Sequence, residues 1–213
     1  MTCAHCTDSE DLFDLKHAKK DLRRFRKKGP NKATRLLIKM LRSQDVYQKT
    51  LLDIGGGIGA VQLELLRSGL NKATDVDASK GYLQMAKEEA GIHGYADSVE
   101  YLHGDFLDLN HAIENHDLVS LDKVICCYPN REELLENAMK RADVAIGLVF
   151  PHGNALSKTF AFLVNMYMTI KGSAFRTYAH SPIDVHQQLV SSGFNRKGSE
   201  STFIWKVWLY ARN

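Results

Sequence analysis

The sequence predicts an α/β fold in three layers, with helices on both faces of a sheet of about seven strands, mostly parallel with an antiparallel C-terminal strand. Three observations predict it. Short apolar runs alternate with stretches of helical periodicity; the first run ends in a glycine-dense turn that opens a helix; and the stretch from Gly193 to Tyr210 reads as a closing strand pair. A chain of 213 residues is long enough for one substantial core. Residues 1–45 are expected to form a helical extension packed over a ligand site, and residues 46–213 the ligand-binding domain itself.

The elements follow in order. Leu12, Leu15, Leu22 and Phe25 recur at helical spacing, as do Leu36, Leu37, Met40 and Leu41 after the break at Gly29-Pro30, so two helices precede the sheet. Leu51-Leu52-Asp53-Ile54 is the first strand, running into Gly55-Gly56-Gly57-Ile58-Gly59-Ala60 and a helix. Residues 72–77 form the second strand, ending in Asp77. The third covers residues 99–106 and ends in Gly104-Asp105-Phe106, and the fourth covers 117–122 with an exit loop at 123–125. A helix over 132–140, a fully buried strand over 144–150 and an apolar helix over 156–170 come next. Arg176-Thr177-Tyr178-Ala179-His180 precedes a further helix, and the final strand pair closes the sheet.

Glycines at the first turn admit left-handed backbone angles and let a ligand approach where a β-carbon would block it, while the free N–H groups of the next helix face that ligand. The turn fits the loose G-x-G-x-x-G/A pattern of dinucleotide-binding folds, which leaves a nicotinamide oxidoreductase open. Asp53 argues otherwise. Its carboxylate stands two residues before the first glycine, at the strand end where open α/β sheets bind ligands, and it repels a pyrophosphate. A ligand with a cationic sulfonium and an ammonium suits that acid. The D-x-G-x-G spacing resembles the first motif of class I, Rossmann-like S-adenosylmethionine-dependent methyltransferases, a resemblance that runs from about Thr50 to Arg212, and the closing antiparallel strand is a feature of that class.

The resemblance implies S-adenosyl-L-methionine as cofactor, with S-adenosyl-L-homocysteine as product, and a cofactor site made of Asp53, Gly55, Gly56, Gly57, Gly59, Asp77, Ala78, Gly104, Asp105, Phe106 and Asp122. Asp77, about twenty residues past the turn, is placed to bridge the ribose hydroxyls. Asp105 is placed to accept from the adenine amino group and Phe106 to cover the ring, while Asp122 shares the edge where the transferring methyl would lie. Leu121-Asp122-Lys123-Val124-Ile125, Phe150-Pro151 and the 176–180 segment are also similar to the branch containing magnesium-protoporphyrin O-methyltransferases, from which Cys126-Cys127-Tyr128-Pro129-Asn130 departs. Methyl transfer needs alignment more than acid–base machinery. A phenol, amine or hydroxyl acceptor benefits from a base near neutral pKa, which nominates His152 and His180, with Tyr178 beside the substrate; Tyr128 is a candidate wall of the methyl site.

A small-molecule acceptor methylated on oxygen or nitrogen is therefore the expected substrate. The basic run Lys16, Lys19, Lys20, Arg23, Arg24, Arg26, Lys27 and Lys28 keeps a nucleic-acid (RNA) methyltransferase open, although the net charge is only +3 and Phe25, at a core-spaced position, is the single Phe, Tyr or Trp within the run. A catalytically silent S-adenosylmethionine-binding protein is the other alternative. No apolar run approaches a membrane span and the N-terminus lacks an apolar signal segment, so a cytoplasmic protein is expected. Four cysteines, two of them adjacent, do not make a disulfide framework and are expected to be reduced. Cys3-Ala4-His5-Cys6 has a metal-ligand spacing but lacks a second ligand pair, and no metal site is expected.

Overall fold

The computed structural model describes residues 14–212; Leu12, Cys3 and Cys6 lie outside the described residues. Helices α1 (Leu15–Lys28) and α2 (Lys32–Arg42) open the described chain, each with an N-cap: the Asp14 carboxylate accepts from the His17 N–H, and the Asn31 side chain accepts from the Ala33 and Thr34 N–H groups. Gly29, with φ 69°, ends α1 and turns the chain into α2.

Seven strands form one sheet: β1 (Thr50–Ile54), β2 (Lys72–Asp77), β3 (Val99–His103), β4 (His116–Asp122), β5 (Ala142–Pro151), β6 (Phe194–Ser201) and β7 (Trp205–Arg212), in the order β3-β2-β1-β4-β5-β7-β6. Neighbours from β3 to β5 pair in parallel, and β7 runs antiparallel to both β5 and β6, so it alone is reversed. The strand order reverses between β1 and β4, and the carboxyl ends flanking such a switch point are where ligands bind.

Helices α2, α3 (Ala60–Leu66) and α4 (Lys80–Ile92) cover one face, where Leu37, Leu41, Leu65 and Ala90 pack with Leu51, Leu118 and Ala145 of the strands. Gly147 of β5 lets α2 come close, since a β-carbon there would run into the Leu37 and Leu41 side chains. On the other face lie α5 (Phe106–Leu109), α6 (Arg131–Lys140) and α8 (Pro182–Ser191), packing Phe106, Leu134, Leu135, Val185 and Leu189 against Ile54, Leu121, Ile146 and Tyr210. Helix α1 sits outside the α3–α4 layer, its Ala18, Leu22 and Phe25 on Leu63, Tyr82 and Met85. Helix α7 (Ala155–Ile170) follows β5.

One boundary differs from the sequence expectation by more than two residues. β3 stops at His103, and Asp105 caps α5 by accepting from the Leu107 N–H, so Phe106 begins a helix instead of ending a strand. A short polar side chain offers the backbone that alternative as soon as strand pairing ends.

Candidate active site

The carboxyl ends of β1, β2 and β4 and the α1–α2 corner enclose a cavity of about 430 Å³, a size suited to a small-molecule or cofactor site. Its floor is the turn Gly55-Gly56-Gly57, and its cover includes Phe25, Pro30, Asn31 and Thr34. Gly55 and Gly57 have φ of 65° and 59°, and Gly59, with φ 76°, starts α3 from the same left-handed region. Gly56 is required for a different reason: a β-carbon there would collide with the Asp75 carboxylate and stand 3.0 Å from Asp53 Oδ2.

Asp77, on the cavity wall, is held by two backbone donors. The Gly57 N–H donates to its Oδ2 at 3.0 Å and the Ser79 N–H to its Oδ1 at 2.8 Å. Burial pushes its carboxyl upward while those bonds pull it back. Tyr82 lines the wall beside it, and its hydroxyl donates to Asp21 Oδ2 at 2.6 Å, fastening α1 to α4 over the cavity. At the β4 end, Thr34 Oγ1 donates to Asp122 Oδ2 at 2.5 Å, and Lys123 Nζ donates to Asp122 Oδ1 at 2.8 Å and to Thr34 Oγ1 at 2.9 Å. Lys123 occupies the left-handed region at φ 68°, a conformation that surrounding contacts must hold in place for a non-glycine residue. Tyr128 also lines the cavity, and its hydroxyl donates to Asp105 Oδ1 at 2.6 Å.

Residues 52–142 match the family model described as a methyltransferase domain. The match covers less than half of the chain, the first strand through the start of the fifth. Ribosomal protein L11 methyltransferases of two Clostridium botulinum strains are 30% identical to it over 81 residues, which is 38% of this chain and 26% of each relative; the chain thus spans about a quarter of the length of these curated relatives. Magnesium protoporphyrin IX methyltransferase from Synechocystis, with bound SAH, superposes with a TM-score of 0.67 at 18% identity over 85% of this chain and 82% of that one. A Pyrococcus horikoshii protein provisionally assigned as an RNA methyltransferase gives 0.63 at 14% identity over 87% and 84% of the two chains. These likenesses establish the class I, Rossmann-like fold.

The fold brings most of the sequence-nominated residues to one cavity: Gly55, Gly56, Gly57, Asp77, Ala78, Gly104, Phe106 and Asp122 all line it. Asp53 does not. It is fully buried beneath Gly56, with Ser120 Oγ donating to its Oδ1 at 2.6 Å, because its side chain points into the layer under the turn and not out of the strand end. Gly59 and Asp105 also stand off the wall, the first as the start of α3 and the second as the α5 cap.

The three nominated catalytic side chains are not on the wall either. His152 Nε2 donates to the Thr202 carbonyl at 2.8 Å, which ties it to the turn between β6 and β7. His180 Nε2 donates to the Tyr128 carbonyl at 3.0 Å from behind the wall, and Tyr178 stacks on the His180 ring with centroids 5.6 Å apart. Burial lowers the His180 pKa below the usual imidazole value. Cys126 and Cys127 are free thiols with Sγ atoms 3.9 Å apart, and Cys127 reaches the cavity.

Sequence reasoning missed Thr34, Tyr82, Lys123 and Phe175 on the wall. Lys123 had a signal, a cation directly after the strand-ending acid at the switch point. The other three are brought in by helix packing and a returning loop, for which local pattern carries no sign.

Proposed function

We propose that this domain holds S-adenosyl-L-methionine in the cavity between the glycine turn and the α1–α2 corner, and transfers its methyl group to an oxygen or nitrogen of a small-molecule acceptor, releasing S-adenosyl-L-homocysteine. The observation that carries the reading is Asp77, an acid on the wall of a 430 Å³ cavity, oriented by two backbone N–H groups next to a turn of three consecutive glycines. That wall also carries Asp122, so its acids fit a cationic ligand better than a pyrophosphate. The cofactor, when bound, supplies a methyl group already activated by a positively charged sulfur.

The chain's own residues have the remaining tasks. Asp77 keeps lone pairs for a ribose diol, and the exposed backbone of Gly55 and Gly57 lets the amino-acid end approach. Phe106, Ala78 and Gly104 form an apolar slot for a purine, with Asp105 acting indirectly by holding the Tyr128 hydroxyl. Asp53 supports the turn from below and starts no chemistry. Thr34, Asp122 and Lys123 form a hydrogen-bonded cluster suited to the methionine end, while Phe25, Pro30 and Phe175 keep water from the transfer path. His152, Tyr178 and His180 are left with supporting roles.

The test is a thermal-shift panel of S-adenosyl-L-methionine, S-adenosyl-L-homocysteine, NAD and ATP, followed by an acceptor screen for a mass gain of one methylene. Stabilisation by the two sulfur nucleosides alone, with turnover of at least one acceptor, is expected. Stabilisation by NAD alone refutes the reading, and tight binding without any turnover favours a silent binding protein. A second reading, RNA as acceptor, is favoured by the exposed basic face of α1, where Arg24 reaches the cavity wall. It requires RNA affinity that falls steeply with salt.

A further inference from the structure

Helix α7 is the one α-helix among the described residues with no buried side chain. Its partly covered positions, Ser157, Ala161, Val164, Asn165 and Met168, share one face at helical spacing and lie against the protein. Asn165 pins that face: its Nδ2 donates to the Thr177 carbonyl at 2.9 Å and its Oδ1 accepts from the Thr177 N–H at 2.8 Å. The solvent side carries a stripe of Leu156, Phe160, Leu163, Tyr167 and Ile170, with Phe162 and Met166 further round the helix, and all seven are between 48% and 76% exposed. The helix is thus turned with its large apolar side chains outward, the reverse of a surface helix in a globular protein.

The patch continues beyond the helix. Phe203, 85% exposed, and Ile204 occupy the turn between β6 and β7, and the Ile204 carbonyl accepts from the His152 N–H at the entry to α7. Monomeric proteins rarely leave so large a contiguous apolar area open without a partner.

Charge selects the partner. No Asp or Glu occurs between residues 144 and 183, while exposed Lys158 and Lys171 stand at the two ends of α7. A two-fold dimer built on α7 would set Lys158 against the other copy's Lys171 if the helices ran antiparallel, or like lysine on like lysine if parallel, with no acid on either helix to answer them. An anionic lipid surface answers both lysines and accepts the apolar stripe together. At 16 residues the helix is about 24 Å long, and no helix of the described residues is long and apolar enough to cross a membrane, so contact means lying flat.

We propose that α7 and the Phe203-Ile204 turn form a docking surface for the headgroup–acyl boundary of an anionic lipid bilayer. The surface adjoins the sheet edge that bears the cavity: Ile204 neighbours Trp205, whose ring centroid lies 5.9 Å from the Lys123 ammonium on the cavity wall. Docking there would hold the cavity close to the membrane, whatever its ligand.

The experiment is flotation of the full chain with vesicles of equal parts phosphatidylcholine and phosphatidylglycerol, compared with pure phosphatidylcholine, at low and high salt. The protein is expected to float with the anionic vesicles, and less so at high salt. Phe160→Asp with Leu163→Asp should cut partitioning at least about tenfold through lost apolar burial. Lys158→Glu with Lys171→Glu should cut it by about fivefold or more per site. Both pairs should melt like the parent, because the altered side chains are exposed. No flotation of the parent, or flotation that both variant pairs retain, overturns the proposal. Sedimentation showing a dimer that Phe160→Asp with Leu163→Asp abolishes, without vesicle binding, overturns it too and reassigns the face to self-association. Since flotation is read without cofactor, its outcome is separate from that of the methyltransferase reading.

Discussion

Asp53 and Asp75 are register partners on β1 and β2, both fully buried under the glycine turn. Each has one oxygen satisfied, by Ser120 Oγ at 2.6 Å and Gln62 Nε2 at 2.6 Å respectively, and each leaves the other, Asp53 Oδ2 and Asp75 Oδ1, without a partner beneath Gly56. Two buried carboxyls this close do not both ionise readily, and they titrate as a pair. Burial, opposed by the Ser120 hydroxyl bond, raises Asp53 from the ordinary 3.8 to about 7, with the charges of Asp122 and Asp77 adding to the rise. Burial, and then the Asp53 charge, raises Asp75 well above the carboxylate range. A folded-state pKa above the unfolded one means stability that is complete below pH 3.8 and is lost as pH climbs through about 7.

Asp75→Asn is the decisive perturbation. The amide oxygen can still accept from Gln62, and the side chain keeps the size of the original, so the variant removes one buried acid without leaving a hole. At pH 8 it should be more stable than the parent by about 1–3 kcal/mol, the cost of an unsatisfied buried polar group. That corresponds to about 2–4 °C in Tm per kcal/mol for a chain of this size. Near pH 5 the two should be close. The assay is urea unfolding of both proteins at intervals from pH 5 to 9, read as a difference so that other titrating groups cancel. Parallel stability curves across that range would refute the raised, coupled titration of the two buried acids.

Asp77→Ala should weaken S-adenosyl-L-homocysteine binding by about tenfold to a hundredfold, the worth of hydrogen bonds to a charged group; calorimetry with an unchanged dissociation constant removes Asp77 from the ribose site. Gly56→Ala pushes a methyl into the Asp53 and Asp75 carboxylates and should cost about 1–3 kcal/mol of stability together with most of the cofactor affinity; a variant that melts and binds like the parent shows the turn to be looser than its packing implies. His152→Gln and His180→Gln should each keep kcat within a few-fold, since loss of a general base costs about 10²–10⁴-fold. A drop of that size, with a lost ionisation in the pH–rate profile, returns that histidine to the chemistry.

Much of the architecture was legible in local pattern. The second strand, residues 72–77, matches its expected bounds, and the fourth and fifth strands and the α6 and α7 helices differ from theirs by one or two residues, because apolar periodicity and turn chemistry are encoded within a few neighbouring positions. The glycine turn and Asp77 were equally readable, since spacing along one strand and one turn places them. Asp53 and Asp105 were not. The identity of an acid is visible in the chain, but whether it faces a cavity, a buried neighbour or a helix N-terminus depends on what packs against it. Asp53 meets Asp75 only through the parallel register of two strands joined by a helix, and Asp105 caps α5 because β3 ends two residues before it. The outward face of α7 belongs to the same class: its apolar spacing was plain, while the side turned to the protein was chosen by Asn165 closing on Thr177, a contact twelve residues along the chain. Sequence by itself determined the kinds of element and the chemical character of the cavity's edge; tertiary structure decided which polar atom meets which, because those meetings are made by register and packing between segments that do not know each other locally.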